Sequence, residues 1–399
     1  MSKKIGLIGL YSIKNMGDPL ICETTRHLLD EKENNLDIIE VDAVPRGKSS
    51  YKGLDYFKYI ISVILIRYIY PKLFKVFNSS TLKYHAENFA WRLRVYNYYE
   101  SILNGLDAVI FTGGGFLKFK NQGLNYYVEQ IVEICERKNI PVMFCGVGIE
   151  GFDLNDKRCL KLKNTLKSKC IKSVTTRDFI EILNDDYLTD STVHSAQVGD
   201  PAFWTPECYN INRTSNHERL IGINVIRGNI YRDYGNKLTY DQLKQIYKDL
   251  LVKLEDKGEN WVLFSNGMEA DQVFGKEILN ELGMSIESNL LSEPNSPREL
   301  VEMVSKFDII FGARMHACIS AYALDIPVVG LIWNEKTSRF AELTKQRDMY
   351  FSESEIDLDL MVTKLTTSQD FSYDKSARNS LKETTKSELK EFISQIVSS

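Results

Sequence analysis

Short apolar runs alternate with longer stretches of helical periodicity along most of the chain, and this alternation constrains the fold more than any other feature. Ile5–Tyr11 is apolar and precedes Asp18–Leu29, where apolar residues recur at helical spacing. Asp37–Val41, Asp107–Thr112, Pro141–Val147, Ile171–Thr175 and Ser195–Val198 read as further strands, with Tyr126–Arg137 and Leu160–Ser168 as helices. A polar interval, Thr205–Glu218, interrupts the pattern and reads as a linker. The same grammar then restarts, with strands at Leu220–Val225, Trp261–Ser265, Asp308–Phe311 and Pro327–Leu331. Helical patterns cover Tyr240–Leu254, Ala270–Leu282 and Arg298–Ser305. Strands joined through crossover helices pair in parallel, so the expected class is α/β, as two Rossmann-like domains facing across a cleft. Their expected extents are 1–208 and 219–375, with 376–399 a C-terminal helix returning across the boundary.

At 399 residues the chain exceeds the usual size of one domain, and its 43% apolar content excludes wholesale disorder. A net charge of -4, with both signs mixed and no basic stripe, excludes a nucleic-acid groove. The seven cysteines contain no CxxC pair and several sit in apolar runs, which reads as reduced, cytoplasmic usage. The N-terminal MSKK leads directly into IGLIGLY, a first strand rather than an export signal. Phe57–Phe77, FKYIISVILIRYIYPKLFKVF, has two open readings. Its dense apolar side chains, with Lys58, Arg67, Lys72 and Lys75, suit a helix lying peripherally on anionic lipid at the inner membrane surface. The other reading is a buried helix or internal lid stopped near Pro71.

The stretch Phe307–Trp333, FDIIFGARMHACISAYALDIPVVGLIW, sets Arg314 and His316 between an apolar strand and a helix of small residues. Helix-start amides in a parallel-sheet domain favour anions. A guanidinium can pair two donors with a carboxylate or phosphate, and an imidazole exchanges protons near neutral pH. Arg227, after Leu220–Val225, and Asn266, after Trp261–Ser265, end neighbouring strands. Lys336 follows the last strong strand and is either a further contact to the anion or an ordinary solvated charge.

Three glycine-bearing loops follow strands of the first half. YSIKNMGDP offers Asn15 and Asp18 as caps or polar contacts and Gly17 for a tight turn. TGGGF brings Gly113, Gly114 and Gly115 together for close backbone approach to a ligand, and Gly146–Gly148 form a third turn. Neither GxGxxG at the first strand nor GxxxxGK[ST] occurs, so an NAD enzyme or a P-loop ATPase fits poorly. No HExxH or zinc-type cysteine spacing occurs, and no metal site or cofactor is expected.

With YSIKNMGDP, DAVIFTGGGF, PVMFCGVGI and FGARMHACISAYALDIPVVGLIW in this order, the chain resembles the polysaccharide pyruvyl transferase family from about Lys4 to Phe340. The resemblance implies a GT-B-like architecture and transfer of the pyruvyl unit of phosphoenolpyruvate to sugar hydroxyls as a ketal. It carries the family's arginine and histidine onto Arg314 and His316, and its basic group after the second domain's first strand onto Arg227. The Asn15, Gly17 and Asp18 loop and the Gly113–Gly115 loop then line the acceptor side, where a saccharide or lipid-linked glycan would bind. His316 is the expected proton donor and Asp18 the residue that orients or deprotonates the acceptor. Phe57–Phe77 departs from the family pattern. Two other functions remain open: a GT-B glycosyltransferase using a nucleotide-sugar donor, and a non-catalytic carbohydrate-binding protein.

Overall fold

The apolar runs form two parallel sheets. In the computed structural model, which describes residues 2–30, 35–45, 53–76, 80–120, 123–213, 218–367 and 374–398, the first sheet contains six strands. These are β1 (Lys3–Gly9), β2 (Leu36–Asp42), β3 (Ala108–Thr112), β4 (Val142–Val147), β5 (Ile171–Thr176) and β6 (His194–Gln197), in the order β2-β1-β3-β4-β5-β6. The second contains β7 (Ile221–Asn224), β8 (Trp261–Phe264), β9 (Ile309–Gly312), β10 (Val328–Ile332) and β11 (Tyr350–Ser352), in the order β11-β10-β9-β7-β8. Interior strands β3, β4 and β9 are buried along their whole length, as continuous apolar runs must be when helices cover both faces. Edge strand β6 is polar and only partly covered.

Counted from its own first strand, the first sheet runs 2-1-3-4-5-6 and the second 2-1-3-4-5, so the winding direction reverses beside β1 in one and beside β7 in the other. In doubly wound sheets the crevice at that reversal, beyond the carboxyl ends of the strands, is where ligands bind. The loops at these two reversals carry the sequence's conspicuous motifs: YSIKNMGDP and TGGGF in the first sheet, the Arg227 and RMH turns in the second.

The chain divides into one unit of Met1–Ser12, Thr25–Gly199 and Glu383–Ser399, and a second of Ile13–Thr24 and Asp200–Lys382. This differs from the expected extents in two places. First, 200–208 falls in the second unit, because Asp200 caps the turn Pro201–Trp204 and Phe203 packs on Tyr322 and Phe340. The presumed linker is also partly helical, at Thr205–Tyr209, and its residues 214–217 lie outside the described residues. Second, Ile13–Thr24 joins the second unit: Met16 N–H donates to the Asn266 carbonyl at 2.9 Å, and the Tyr209 hydroxyl donates to Glu23. The C-terminal helix Lys375–Val397 passes from the second unit to the first. Its Thr385 hydroxyl accepts from Gly199 N–H at 3.0 Å, and its Glu388 pairs with His194 at 2.9 Å.

Pro71 does not stop the segment that began at Phe57. Helix Leu54–Ile64 continues through a π turn, Leu65–Ile69, into Tyr70–Val76, and Phe77 lies outside the described residues. Proline has no N–H and crowds the carbonyl four residues back, and the widened turn, closed by Tyr70 N–H to the Leu65 carbonyl, absorbs that conflict. The buried-helix reading fails here, since Phe57 and Tyr68 are 61% and 58% exposed. The long helix Ser80–Ile102 was not anticipated; its Trp91 and Tyr84 stack on Tyr126 of helix Leu124–Lys138.

Candidate active site

The reversal point of the second sheet is built around a buried carboxylate. Asp271 lies in the first turn of helix Glu269–Leu282, where the helix dipole favours an anion, and is fully buried. Its Oδ2 accepts from Arg314 Nε at 2.8 Å and its Oδ1 from Arg314 Nη2 at 2.6 Å. Oδ1 also accepts from Arg227 N–H at 2.9 Å. Burying this ion pair carries a desolvation cost, which the two-point geometry and the additional amide offset.

Asn224, the last residue of β7, fixes the turn after β9. Its Oδ1 accepts from Arg314 N–H at 2.7 Å, so its amide nitrogen must face the other way and donates to Asn266 Oδ1 at 3.1 Å. That leaves the buried Asn266 Nδ2 with no hydrogen-bond partner among the described residues. A buried orphan donor at a ligand-binding rim is a group waiting for an acceptor. The Tyr247 hydroxyl donates to the Asn224 carbonyl at 2.9 Å, and burial, then Tyr231 and Asp271, push that phenol's pKa well above its ordinary value. Trp333 Nε1 donates to the Ala313 carbonyl at 2.6 Å and braces the same turn from the end of β10.

Arg314 caps helix Met315–Ala323 from an extended conformation, and His316 is its second residue. Neither is open to solvent: Arg314 is 8% and His316 7% exposed. With Nε and one Nη2 hydrogen held by Asp271, the two Nη1 hydrogens and the second Nη2 hydrogen remain for a ligand, so one edge of the guanidinium is committed and the other is not. Gly17 begins helix Gly17–Leu29 against the imidazole: a Cβ there would sit 2.2 Å from His316 Nδ1 and 2.4 Å from Cγ. Its lack of a side chain therefore serves close approach, where a tight turn had been expected. On the other side of the ring, His316 Nε2 is 3.9 Å from Asp200 Oδ2, while Asp200 Oδ1 accepts from Ala202 N–H at 2.8 Å.

The other expected residues are less tightly joined to this cluster. Asn15 Oδ1 accepts weakly from Gly17 N–H at 3.5 Å, and Asp18 occupies the first turn of the same helix. Arg227 pairs with Asp233 and lines a cavity of about 450 Å³ with Gly228, Asn229, Tyr240 and Phe274; neither Arg314 nor His316 contributes to its walls. Lys336 is half-buried in the first turn of helix Glu335–Leu343. In the first unit, Gly113 and Gly114 have φ of 53° and 62°, which glycine adopts without strain. Gly113 N–H already donates to the Cys145 carbonyl at 3.1 Å, so the loop offers fewer free amides than three glycines suggest. A thiol nucleophile finds no support: burial pushes Cys170 and Cys318 up to about 12, and Cys208 to about 11 with Glu23 adding to it.

Asp271, Asn224 and Asp200 were missed from sequence. A polar residue ending the apolar strand IGIN and an Asp-Pro pair just after a strand were the available signals. Nothing marked Asp271 among the chain's many helix-start carboxylates.

Two parallel sheets, each flanked by helices, define a GT-B or Rossmannoid architecture, and solved structures share it. The UDP-GlcNAc 2-epimerase of Methanocaldococcus jannaschii, in complex with UDP-GlcNAc and UDP, superposes with a TM-score of 0.56 at 11% identity, covering 99% of this chain and 100% of that one. The UDP-GlcNAc 2-epimerase of Neisseria meningitidis, bound to UDP-GlcNAc, gives 0.54 at 13% identity, with 99% and 100% covered. At these identities the likeness establishes the fold alone. No curated protein matches the chain in sequence. The family model for polysaccharide pyruvyl transferase matches residues 15–335, and the chain belongs to that family. Membership supports catalysis of a pyruvyl-transfer type in general.

Proposed function

We propose that the protein transfers the pyruvyl unit of phosphoenolpyruvate to two hydroxyls of a cell-envelope or exopolysaccharide sugar, forming a cyclic ketal. One observation carries this reading: within a single unit, the RMH turn packs its imidazole directly on the start of helix Gly17–Leu29. An imidazole, a partly engaged guanidinium, an orphan amide donor and helix-start N–H groups are thereby gathered at a sheet reversal. Phosphoenolpyruvate, with a carboxylate and a phosphate, suits those donors.

In the proposed reaction His316 donates a proton to the methylene carbon of phosphoenolpyruvate, leaving oxocarbenium character at the neighbouring carbon. A sugar hydroxyl attacks that carbon and loses its proton to a base, for which Asp18 is the candidate. A second hydroxyl then displaces phosphate, closing the ketal, and its proton leaves with the phosphate. Asp200 positions the imidazole. Arg314, Asn266, Arg227 and Lys336 are assigned to the donor's charged groups, and the Asn15, Gly17 and Gly113–Gly115 loops to the acceptor.

Incubation with phosphoenolpyruvate and a cell-envelope glycan mixture should release phosphate and add a pyruvyl mass to a glycan, and His316→Gln should abolish both. Full turnover in a folded His316→Gln variant would remove the acid assignment. Stabilisation against heat by UDP-sugars, with none by phosphoenolpyruvate, would overturn the donor.

A further inference from the structure

The helices between Leu54 and Phe89 expose an apolar face that no element among the described residues covers. Leu54, Phe57, Ile60 and Ile64 recur at spacings of three, three and four, a single stripe of a helix, and are 68%, 61%, 37% and 44% exposed. The exposure continues beyond the π turn through Tyr68, Ile69 and Leu73, and onto the following helix at Leu82 and Phe89. A surface helix of a globular protein turns such a stripe inward, and a continuous outward one marks an interaction site.

The charge on this face is one-sided. Between Leu54 and Phe89, Lys58, Arg67, Lys72, Lys75 and Lys83 outnumber two acids, Asp55 and Glu87, and the Glu87 carboxylate already accepts from the Tyr126 hydroxyl at 2.7 Å. Asp55 is already engaged, with Lys58 at 3.6 Å and Asn97 at 2.7 Å. Arg67, Lys72, Lys75 and Lys83 form no ion pair among the described residues. Lys75, Lys83 and Glu87 edge a cavity of about 300 Å³ whose walls include Ile66, Tyr70 and Phe74, so the net charge of its lining is positive. Ammonium groups at the mouth of an apolar hollow suit a phosphate headgroup with its acyl chain beneath.

We propose that this face docks on the surface of a bilayer containing anionic phospholipid, with the apolar stripe at the headgroup–acyl boundary and the basic residues among the phosphates. Among the described residues no helix is long and apolar enough to cross a membrane, so the contact is interfacial. Self-association through the same face would set its cations against their own copies, which like-charge repulsion opposes. This inference is independent of the pyruvyl-transfer reading.

The test is flotation of the full chain with vesicles of phosphatidylcholine, with and without phosphatidylglycerol. The protein should float with the anionic vesicles and stay behind with the neutral ones, and added salt should release it. Phe57→Ser with Ile64→Ser should lower the partition coefficient at least about tenfold, with circular dichroism unchanged. Lys72→Gln with Lys75→Gln should lower it roughly 25-fold. Absence of flotation with either vesicle would overturn the proposal, as would flotation indifferent to both variants. A concentration-dependent dimer dissolved by Phe57→Ser and Ile64→Ser, without vesicle binding, would also overturn it and assign the face to a second copy.

Discussion

The two sheets reverse their winding in the same way and furnish the strand next to the reversal with different materials. At the end of β7 and β9 the second unit places charge against charge: Arg314 grips Asp271 at 2.6 and 2.8 Å, and Asn224 locks the arginine's backbone. At the end of β3 the first unit places glycines with left-handed backbone, and an ion pair, Lys118 with Glu150 at 3.0 Å, comes only after that loop. One of its buried carboxylates, Glu129, is held by neutral donors, with Tyr84 Oη at 2.8 Å and Asn125 Nδ2 at 3.1 Å. A charged rim that is internally paired holds its donors in fixed positions for a small anion, while a glycine rim lets a larger, neutral ligand approach the backbone. Under the proposed function the charged rim is assigned to the donor and the glycine rim to the acceptor.

The strongest way to break the contrast is to unpair the charged rim. Asp271→Ala leaves the Arg314 guanidinium buried and uncompensated, and should cost about 3–5 kcal/mol in stability. The readout is the urea midpoint at unchanged slope. Replacing both partners, as Asp271→Leu with Arg314→Met, should recover most of that stability while leaving pyruvyl transfer abolished. A single Asp271→Ala variant as stable as the parent would show that the pair does not organise this rim.

The corresponding test in the first unit uses pH. Burial raises the Glu129 carboxyl to about 7, against the lowering pull of Asn125 and Tyr84. The folded state therefore holds this proton more tightly than the unfolded chain. Its contribution is most favourable below the ordinary carboxylate range and is lost as pH rises through about 7, a change of roughly 3 kcal/mol. Glu129→Gln should flatten that part of the stability profile, matching the parent at about pH 5 and exceeding it at about pH 8. Parallel profiles for the two proteins would mean that Glu129 stays ionised throughout.

Much of this frame was legible in the residues. Period and composition located ten of the eleven strands among the described residues, because central parallel strands are uniformly apolar and their ends carry glycine, proline or polar punctuation. The one missed, β11, is three residues long. The helix Ser80–Ile102 escaped because its tyrosines and charges are spread around the axis and show no clean stripe. The RMH turn was readable as a site, but its wiring was not. Asp271 lies 43 residues from Arg314 and Asn224 lies 90 away, so only the folded sheet reveals which carboxylate and which amide answer the arginine. The same limit applied to Gly17. Its neighbour in space is 299 positions on, and a close packing of that kind leaves no local trace.

Gly17→Ala sharpens the comparison from the charged side. A methyl at 2.2 Å from His316 Nδ1 forces the imidazole or the helix start to move, which should cost about 1–3 kcal/mol. If the ring's position matters to catalysis, turnover should fall further than stability does. Combining Gly17→Ala with His316→Ala should restore stability towards that of His316→Ala alone, because the clash has lost one partner. Strict additivity of the two losses would place the imidazole away from the helix start.

Gly113→Ala is the smallest perturbation and addresses the neutral rim. At φ of 53° an alanine is strained by roughly 1–2 kcal/mol, whatever space surrounds it. Gly113→Asn should cost less, since asparagine tolerates the left-handed region better than alanine. If this rim receives the saccharide, both variants should raise the KM for the glycan acceptor while leaving the KM for phosphoenolpyruvate unchanged, and the order of the two effects should follow the strain. An altered KM for phosphoenolpyruvate alone would reverse the assignment of donor and acceptor to the two rims, because only a ligand seated on the glycine loop senses a displacement confined to its backbone.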